Sequence, residues 1–114
     1  MSTEPYPYQK ESELLVDALD WLFSHGVAAW RNNSGAVFIR NPLTGKTRMV
    51  RMGIKGSADI LGILPGSGKF LAAEAKVKRN RATKAQHEFL DAVRRAGGVA
   101  FVFRNLKELE QGIS

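Results

Sequence analysis

The chain has no cysteine, which excludes disulfides and every thiolate metal site. Histidine is nearly as scarce. His25 and His87 are the two present, too far apart and too isolated to suggest a metal pair, and both read as surface residues. No apolar run is long enough for a membrane span, and residues 1–7 lack the basic and apolar regions of a signal peptide. The resulting expectation is a cytoplasmic protein with no membrane partner. Acid is scarce in one stretch above all. Residues 40–84 hold eleven lysines and arginines against two carboxylates, Asp59 and Glu74, a net of +9, while the flanks carry six basic against nine acidic residues, a net of −3. That asymmetry is the electrostatic footprint of a nucleic-acid binder. A merely solubilising surface is the ordinary alternative.

What is present suits one globular domain. The 114 residues are 44% hydrophobic and 25% charged, ordinary values for a single core. Residues 1–9 are expected to be loosely ordered and 10–114 to form the domain; Tyr6 and Tyr8 would pack against a partner subunit or stay disordered. Helical spacing runs from Lys10 to His25, with Gly26 as its stop. Val27 to Arg31 reads as a strand. Ala36–Arg40 and Thr47–Met52 can pair as a hairpin, and Gly53 and Gly56 bracket a flexible approach to Asp59. Ile60–Leu64 and Lys69–Ala75 form a second hairpin around Pro65-Gly66-Ser67-Gly68. A helix over Thr83–Ala96, a buried strand over Val99–Phe103 and a short helix from Leu106 follow. The order, read as α-β-β-β-α-β-α, indicates an α/β sandwich around a central mixed sheet. Trp21, Trp30 and the phenylalanines are expected mainly in the core, though Trp30 beside Arg31 could also stack on a base.

The second hairpin is where chemistry concentrates. A symmetric turn sets Leu64 against Lys69 and, continuing outward, Asp59 against Glu74. Alternation places Asp59, Leu61 and Ile63 on one face with Phe70, Ala72, Glu74 and Lys76. Opposed carboxylates at roughly 5 Å between Cβ atoms repel each other. A cation between them relieves that repulsion, and oxygen ligands suit Mg²⁺ or Mn²⁺.

Two helices aim polar residues at the core. Leu14, Leu15, Ala18, Leu19 and Leu22 form an apolar stripe, and Glu11 falls at its centre while Glu13, Asp17 and Asp20 face water. Burying an unpaired carboxylate is costly, so Glu11 is either a third acid of the site or a first-turn residue favoured by the helix dipole. Gln86 lies on the inward stripe of Phe89, Leu90, Val93 and Ala96. Thr83-Lys84-Ala85-Gln86 also matches a capping box, so Gln86 caps the helix, points into the site, or does both.

Glu11, the Gly-x-x-x-Asp approach to Asp59, Glu74-x-Lys76 and Gln86 in that order resemble the virus-type replication-repair nuclease (VRR-NUC) domain of the PD-(D/E)XK nuclease superfamily. Trp30-Arg31-Asn32-Asn33-Ser34-Gly35 is similar to the segment that family carries after its first strand. The resemblance spans residues 11–104. Leu15 stands where many relatives have glutamine, and Ala58 replaces the proline of the superfamily name. The resemblance implies a PD-(D/E)XK-like α-β-β-β-α-β sandwich and a Mg²⁺- or Mn²⁺-dependent endodeoxyribonuclease. Asp59, Glu74 and the Ala75 carbonyl would hold the ion, with Glu11 completing the set directly or through water. Lys76 would position or deprotonate the attacking water, and Gln86 would steady Lys76 or a phosphate. Arg31, Asn33 and Ser34, with Arg51, Lys55, Lys78, Arg79, Arg81 and Lys84 from the basic block, are the candidate DNA contacts. Small members of the family resemble Holliday-junction resolvases, form homodimers, act on branched DNA in repair, and are frequent in bacteriophages and prophages. The expected setting is the cytoplasm of a bacterium or a phage-infected cell.

The chemistry also follows from the residues. A phosphodiester's charge repels a nucleophile, and a divalent ion between Asp59 and Glu74 would neutralise phosphate and acidify water. Lys76, on Glu74's face and roughly 6–7 Å along the strand, can reach that water; a phosphate contact or an ion pair with Glu74 is its simpler role. Gly66-Ser67-Gly68-Lys69 is not a phosphate loop, because Ile63 stands where the first glycine belongs and Phe70 where Ser or Thr belongs. Three functions remain open: a structure-selective nuclease on branched DNA, a flap- or duplex-processing (restriction-like) nuclease, and a DNA-binding module without chemistry.

Overall fold

The computed structural model describes residues 4–33 and 35–114. Helix α1 (Glu11–Ser24) forms where the apolar spacing requires it, and Leu14, Leu15, Ala18 and Leu22 are its buried residues. Gly26, at φ +74, ends it, and the Val27 amide turns back to the Leu22 carbonyl at 2.9 Å. Strands β1 (Ala28–Arg31), β2 (Gly35–Arg40), β3 (Thr47–Met52), β4 (Ile60–Ile63) and β5 (Phe70–Ala75) follow, then α2 (Lys84–Arg95), β6 (Val99–Phe103) and α3 (Leu106–Ile113).

Five strands therefore precede α2, each of them expected from the sequence, although the order α-β-β-β-α-β-α counts three. The extra pair is β2–β3, which forms a two-stranded sheet of its own. Without that ribbon the order is α1-β1-β4-β5-α2-β6-α3 around a mixed sheet ordered β1-β4-β5-β6. β4 is antiparallel to β1 and β5, and β6 runs parallel to β5. The β4–β5 turn is the symmetric one expected: Ile63 pairs with Phe70, and the Leu64 amide donates to the Lys69 carbonyl at 2.9 Å.

Alternation along β5 builds two cores. Leu71, Ala73 and Ala75 join Leu14, Leu15, Ala18 and Leu22 of α1 and Leu109 of α3 in one cluster. Ala72, one residue out of phase, joins Leu90 and Val93 of α2 in the other. Helices thus cover both faces of the sheet, and β5 is buried on both sides after Phe70. Its alanines let both helix layers approach closely. Glu74 is the buried charged residue of this strand, 1% exposed, on the α2 side with Ala72.

Three expectations are corrected. Of the residues expected to be loose, Pro5 and Tyr8 are tied down, while 1–3 lie outside the described residues: Tyr8 packs against the α1 core, its hydroxyl donates to Asp17 at 2.7 Å, and Asn105 Nδ2 donates to the Pro5 carbonyl at 3.0 Å. Trp30, Phe23, Phe38 and Phe70 are exposed rather than core: Trp30 lies on an edge strand, Phe38 on the ribbon, Phe70 beside the β4–β5 turn, and Phe23 on α1 off its buried stripe; Trp21, Phe89, Phe101 and Phe103 do pack inside. The approach to Asp59 is constrained. A Cβ on Gly56 would lie 2.4 Å from the Ala85 backbone, and its φ is +78, so that loop is pressed against the start of α2. Among the described residues no helix is long and apolar enough to cross a membrane.

Candidate metal centre and active site

Asp59 sits at the entry to β4, held from two directions. The Asn32 side chain donates to Ser57 Oγ (2.8 Å) and to the Ala58 carbonyl (3.0 Å), and the Asn32 amide donates to the Asp59 carbonyl (2.7 Å). These bonds fix the backbone on which the carboxylate is mounted. One carboxylate oxygen, Oδ2, then accepts from the Ala75 amide at 3.0 Å, across the hairpin. Ala75 thus contributes its amide to orienting Asp59. Asn32 was not among the expected site residues, and its position in Trp30-Arg31-Asn32-Asn33 was the available signal.

Glu74 enters from β5. Its Oε1 accepts from Gln86 Nε2 at 3.1 Å and lies 3.9 Å from Lys76 Nζ. Its Oε2 is buried with no hydrogen-bond partner among the described residues, an arrangement that costs about 1–3 kcal/mol or more for a charged group. Glu11, half-buried in the first turn of α1, completes the group. One carboxylate oxygen from each of Glu11, Asp59 and Glu74 lies within 4.8 Å of the others. The inward stripe on α1 therefore delivers Glu11 to the acids of the hairpin, as its phase implied.

Gln86 does both things open to it. Its Oε1 accepts from the Thr83 amide (2.8 Å) and its own amide donates to Thr83 Oγ1 (3.2 Å), the full capping box. Its Nε2 is left free to reach Glu74. The cap therefore fixes the rotamer that serves the acid cluster.

Crowded carboxylates show in their proton affinity. Burial, then the hydrogen-bonding contact and charge of Asp59, push the Glu74 carboxyl up to about 8, with Lys76 opposing the shift and Glu11 adding to it. Burial and the Asp59 charge raise Glu11 as well, again against Lys76. Three acids sharing one small volume repel each other when ionised. The donor set suits a hard divalent cation, since all three groups are carboxylates and one oxygen lacks any protein donor.

The candidate DNA contacts among the described residues are all exposed. Arg31 ends β1 in register with Ile60, next to Asp59, and Asn33 follows it; Ser34 lies outside the described residues. Arg51 belongs to the ribbon and Lys55 to the loop before Gly56. Lys78, Arg79 and Arg81 occupy the connection from β5 to α2, with Lys78 in left-handed conformation at φ 54. Lys84 opens α2 and stands 4.0 Å from Glu88, an exposed i,i+4 pair. The structure thus joins Glu11, Asp59, Glu74, Lys76 and Gln86 into one constellation, while the candidate DNA contacts among the described residues form no part of it and are exposed. No protein-family model matches the chain, and no curated protein matches it.

Proposed function

We propose that this protein is a metal-dependent endonuclease that hydrolyses DNA phosphodiester bonds. The observation that carries the reading is the convergence of Glu11, Asp59 and Glu74 within 4.8 Å, with Glu74 Oε2 buried and unpartnered. A purely structural role gives no reason to gather three acids in a chain of net charge +6. Glu11, Asp59 and Glu74 would hold Mg²⁺ or Mn²⁺, with the Ala75 carbonyl as a further oxygen. Such an ion, when bound, neutralises phosphate charge and makes water more acidic.

The remaining roles belong to side chains already in place. The Ala75 amide and Asn32 keep Asp59 oriented without further rearrangement. Lys76, 12% exposed at its side chain and held against Glu74, positions the attacking water or takes its proton. Gln86, locked by its cap, keeps Glu74 Oε1 in place. Arg31, Asn33, Lys55, Lys78, Arg79, Arg81 and Lys84 contact the DNA backbone on either side.

Support for the VRR-NUC-like, PD-(D/E)XK arrangement comes from the order α1-β1-β4-β5-α2-β6, with Asp59 entering β4, Glu74 and Lys76 at the end of β5, and Gln86 on the next helix. On that likeness the substrate is branched DNA such as a Holliday junction, cut by a homodimer in the cytoplasm of a bacterial or phage-infected cell. Labelled four-way junction, flap, duplex and single-stranded DNA incubated with Mg²⁺, Mn²⁺ or EDTA tests it. Metal-dependent cutting, strongest on the junction, is expected. Cutting that survives EDTA or Glu74→Ala removes the mechanism. Tight binding without cutting under either metal leaves a DNA-binding module, and preference for flap or duplex leaves a nuclease of another specificity.

A further inference from the structure

The β2–β3 ribbon serves neither core. Its six strand pairs run from Gly35–Met52 to Arg40–Thr47, its β2 residues are all exposed, and it forms a sheet separate from the other four strands. The radius of gyration of 16.2 Å exceeds the value of about 13 Å for a compact chain of this length, and the principal-axis extents are 57 × 33 × 27 Å. A two-stranded ribbon by itself is marginally stable in water. Its tip is nonetheless well defined: Asn41 Oδ1 accepts from the Leu43 amide at 2.9 Å, and the Asn41 amide donates to the Lys46 carbonyl at 2.8 Å.

Register and alternation divide its side chains. Ala36, Phe38 and Arg40 share one face with Arg51, Met49 and Thr47. Phe38 and Met49, 73% and 55% exposed, are directly opposed, with Arg51 and Arg40 on either side. Residues 35–55 contain five lysines and arginines, Arg40, Lys46, Arg48, Arg51 and Lys55, and no carboxylate. A second copy of such a ribbon would meet it with like charge. A polyanion would not.

Its root adjoins the acid cluster. Asn32, three residues before β2, bonds Asp59, and Gly56, four residues after β3, is pressed against Ala85 beside Gln86. We propose that the ribbon is a DNA-gripping arm that lies in the major groove of the duplex flanking the cut site, with the Phe38–Met49 face toward the bases and Arg40 and Arg51 on phosphates. The inference rests on the nuclease reading and adds an element that reading does not need. A two-stranded ribbon fits the major groove, and six residues reach about 20 Å.

The test measures binding of a labelled duplex by fluorescence anisotropy, with Ca²⁺ in place of Mg²⁺, across a salt series. Arg40→Gln/Arg51→Gln is expected to weaken binding about tenfold and lower the salt slope by about two, one per lost phosphate contact. Phe38→Ala is expected to weaken it several-fold with the slope unchanged. Both variants should keep the wild-type melting temperature within a few degrees, since neither position touches a core. Wild-type affinity in both variants, beside a wild type that binds and cuts, overturns the arm and leaves the nuclease standing. A wild type that neither binds nor cuts DNA overturns the nuclease reading and the arm together. Conversion of a wild-type dimer to monomer by the ribbon variants in light scattering, with binding unchanged, assigns the ribbon to self-association instead.

Discussion

Glu74 concentrates the competing forces of the molecule in one side chain. It is buried, flanked by two other acids, and partnered at one oxygen only. Its folded proton affinity is raised to about 8, so between the ordinary carboxylate range and that value the folded state binds the proton more tightly than the unfolded chain. Stability of the metal-free protein therefore falls as pH rises through that window and is lowest above about 8. Thermal melts in EDTA should show a lower melting temperature at pH 9 than at pH 6, and Glu74→Gln should flatten the dependence. An unchanged slope in Glu74→Gln would place the destabilising charge elsewhere. Lys76 gives a second, separable prediction. Lys76→Ala should lower cleavage by roughly 100-fold or more, as loss of a positioned base does, while Mn²⁺ still raises the melting temperature. Loss of the metal-induced shift as well would make Lys76 a prop for the acids rather than a participant in the chemistry.

Among elements, the hairpin β4–β5 and the two site helices were the most legible in sequence. Pro65-Gly66-Ser67-Gly68 admits a symmetric turn, and that alone fixes which residue opposes which, placing Asp59 beside Glu74. The apolar phase of α1 picks out Glu11, and the Thr83–Gln86 spacing picks out the cap. Other features depend on contacts distant in sequence. Asn32 acts on Ser57 and Ala58, 25 and 26 residues away; its place in Trp30-Arg31-Asn32-Asn33 flags the residue but not that reach. The alternation of β2 and β3 reveals a hairpin but not that it stands apart from the main sheet, since pairing partners beyond the turn leave no local pattern. Gly56 looked like a flexible link for the same reason; its neighbour is Ala85, on another element. Gly56→Ala should destabilise the protein by about 2 kcal/mol or more, combining a positive φ with a clash against backbone, and should lower cleavage by disturbing Asp59 and Gln86 together. Chemical denaturation checks the first effect. Wild-type stability in this variant would show that the loop can move away from α2.

At the scale of the whole molecule, charge and architecture divide the labour. The acid cluster sits at one end of a buried strand, and the chain around it carries a net +9 between residues 40 and 84. On the proposed nuclease reading one such centre would cut one strand, so resolution of a symmetric junction would require two copies. Light scattering at working concentration should give about twice the mass of the 12.6 kDa chain. A monomer would confine the activity to single-strand incision, without touching the metal chemistry. The central claim is that Glu11, Asp59 and Glu74 meet at one divalent ion. Crystals grown with Mn²⁺ and measured for anomalous scattering test it most directly. A manganese peak in contact with oxygens of all three carboxylates, including Glu74 Oε2, is expected; crystals in which the three side chains stand together with no such peak would contradict it.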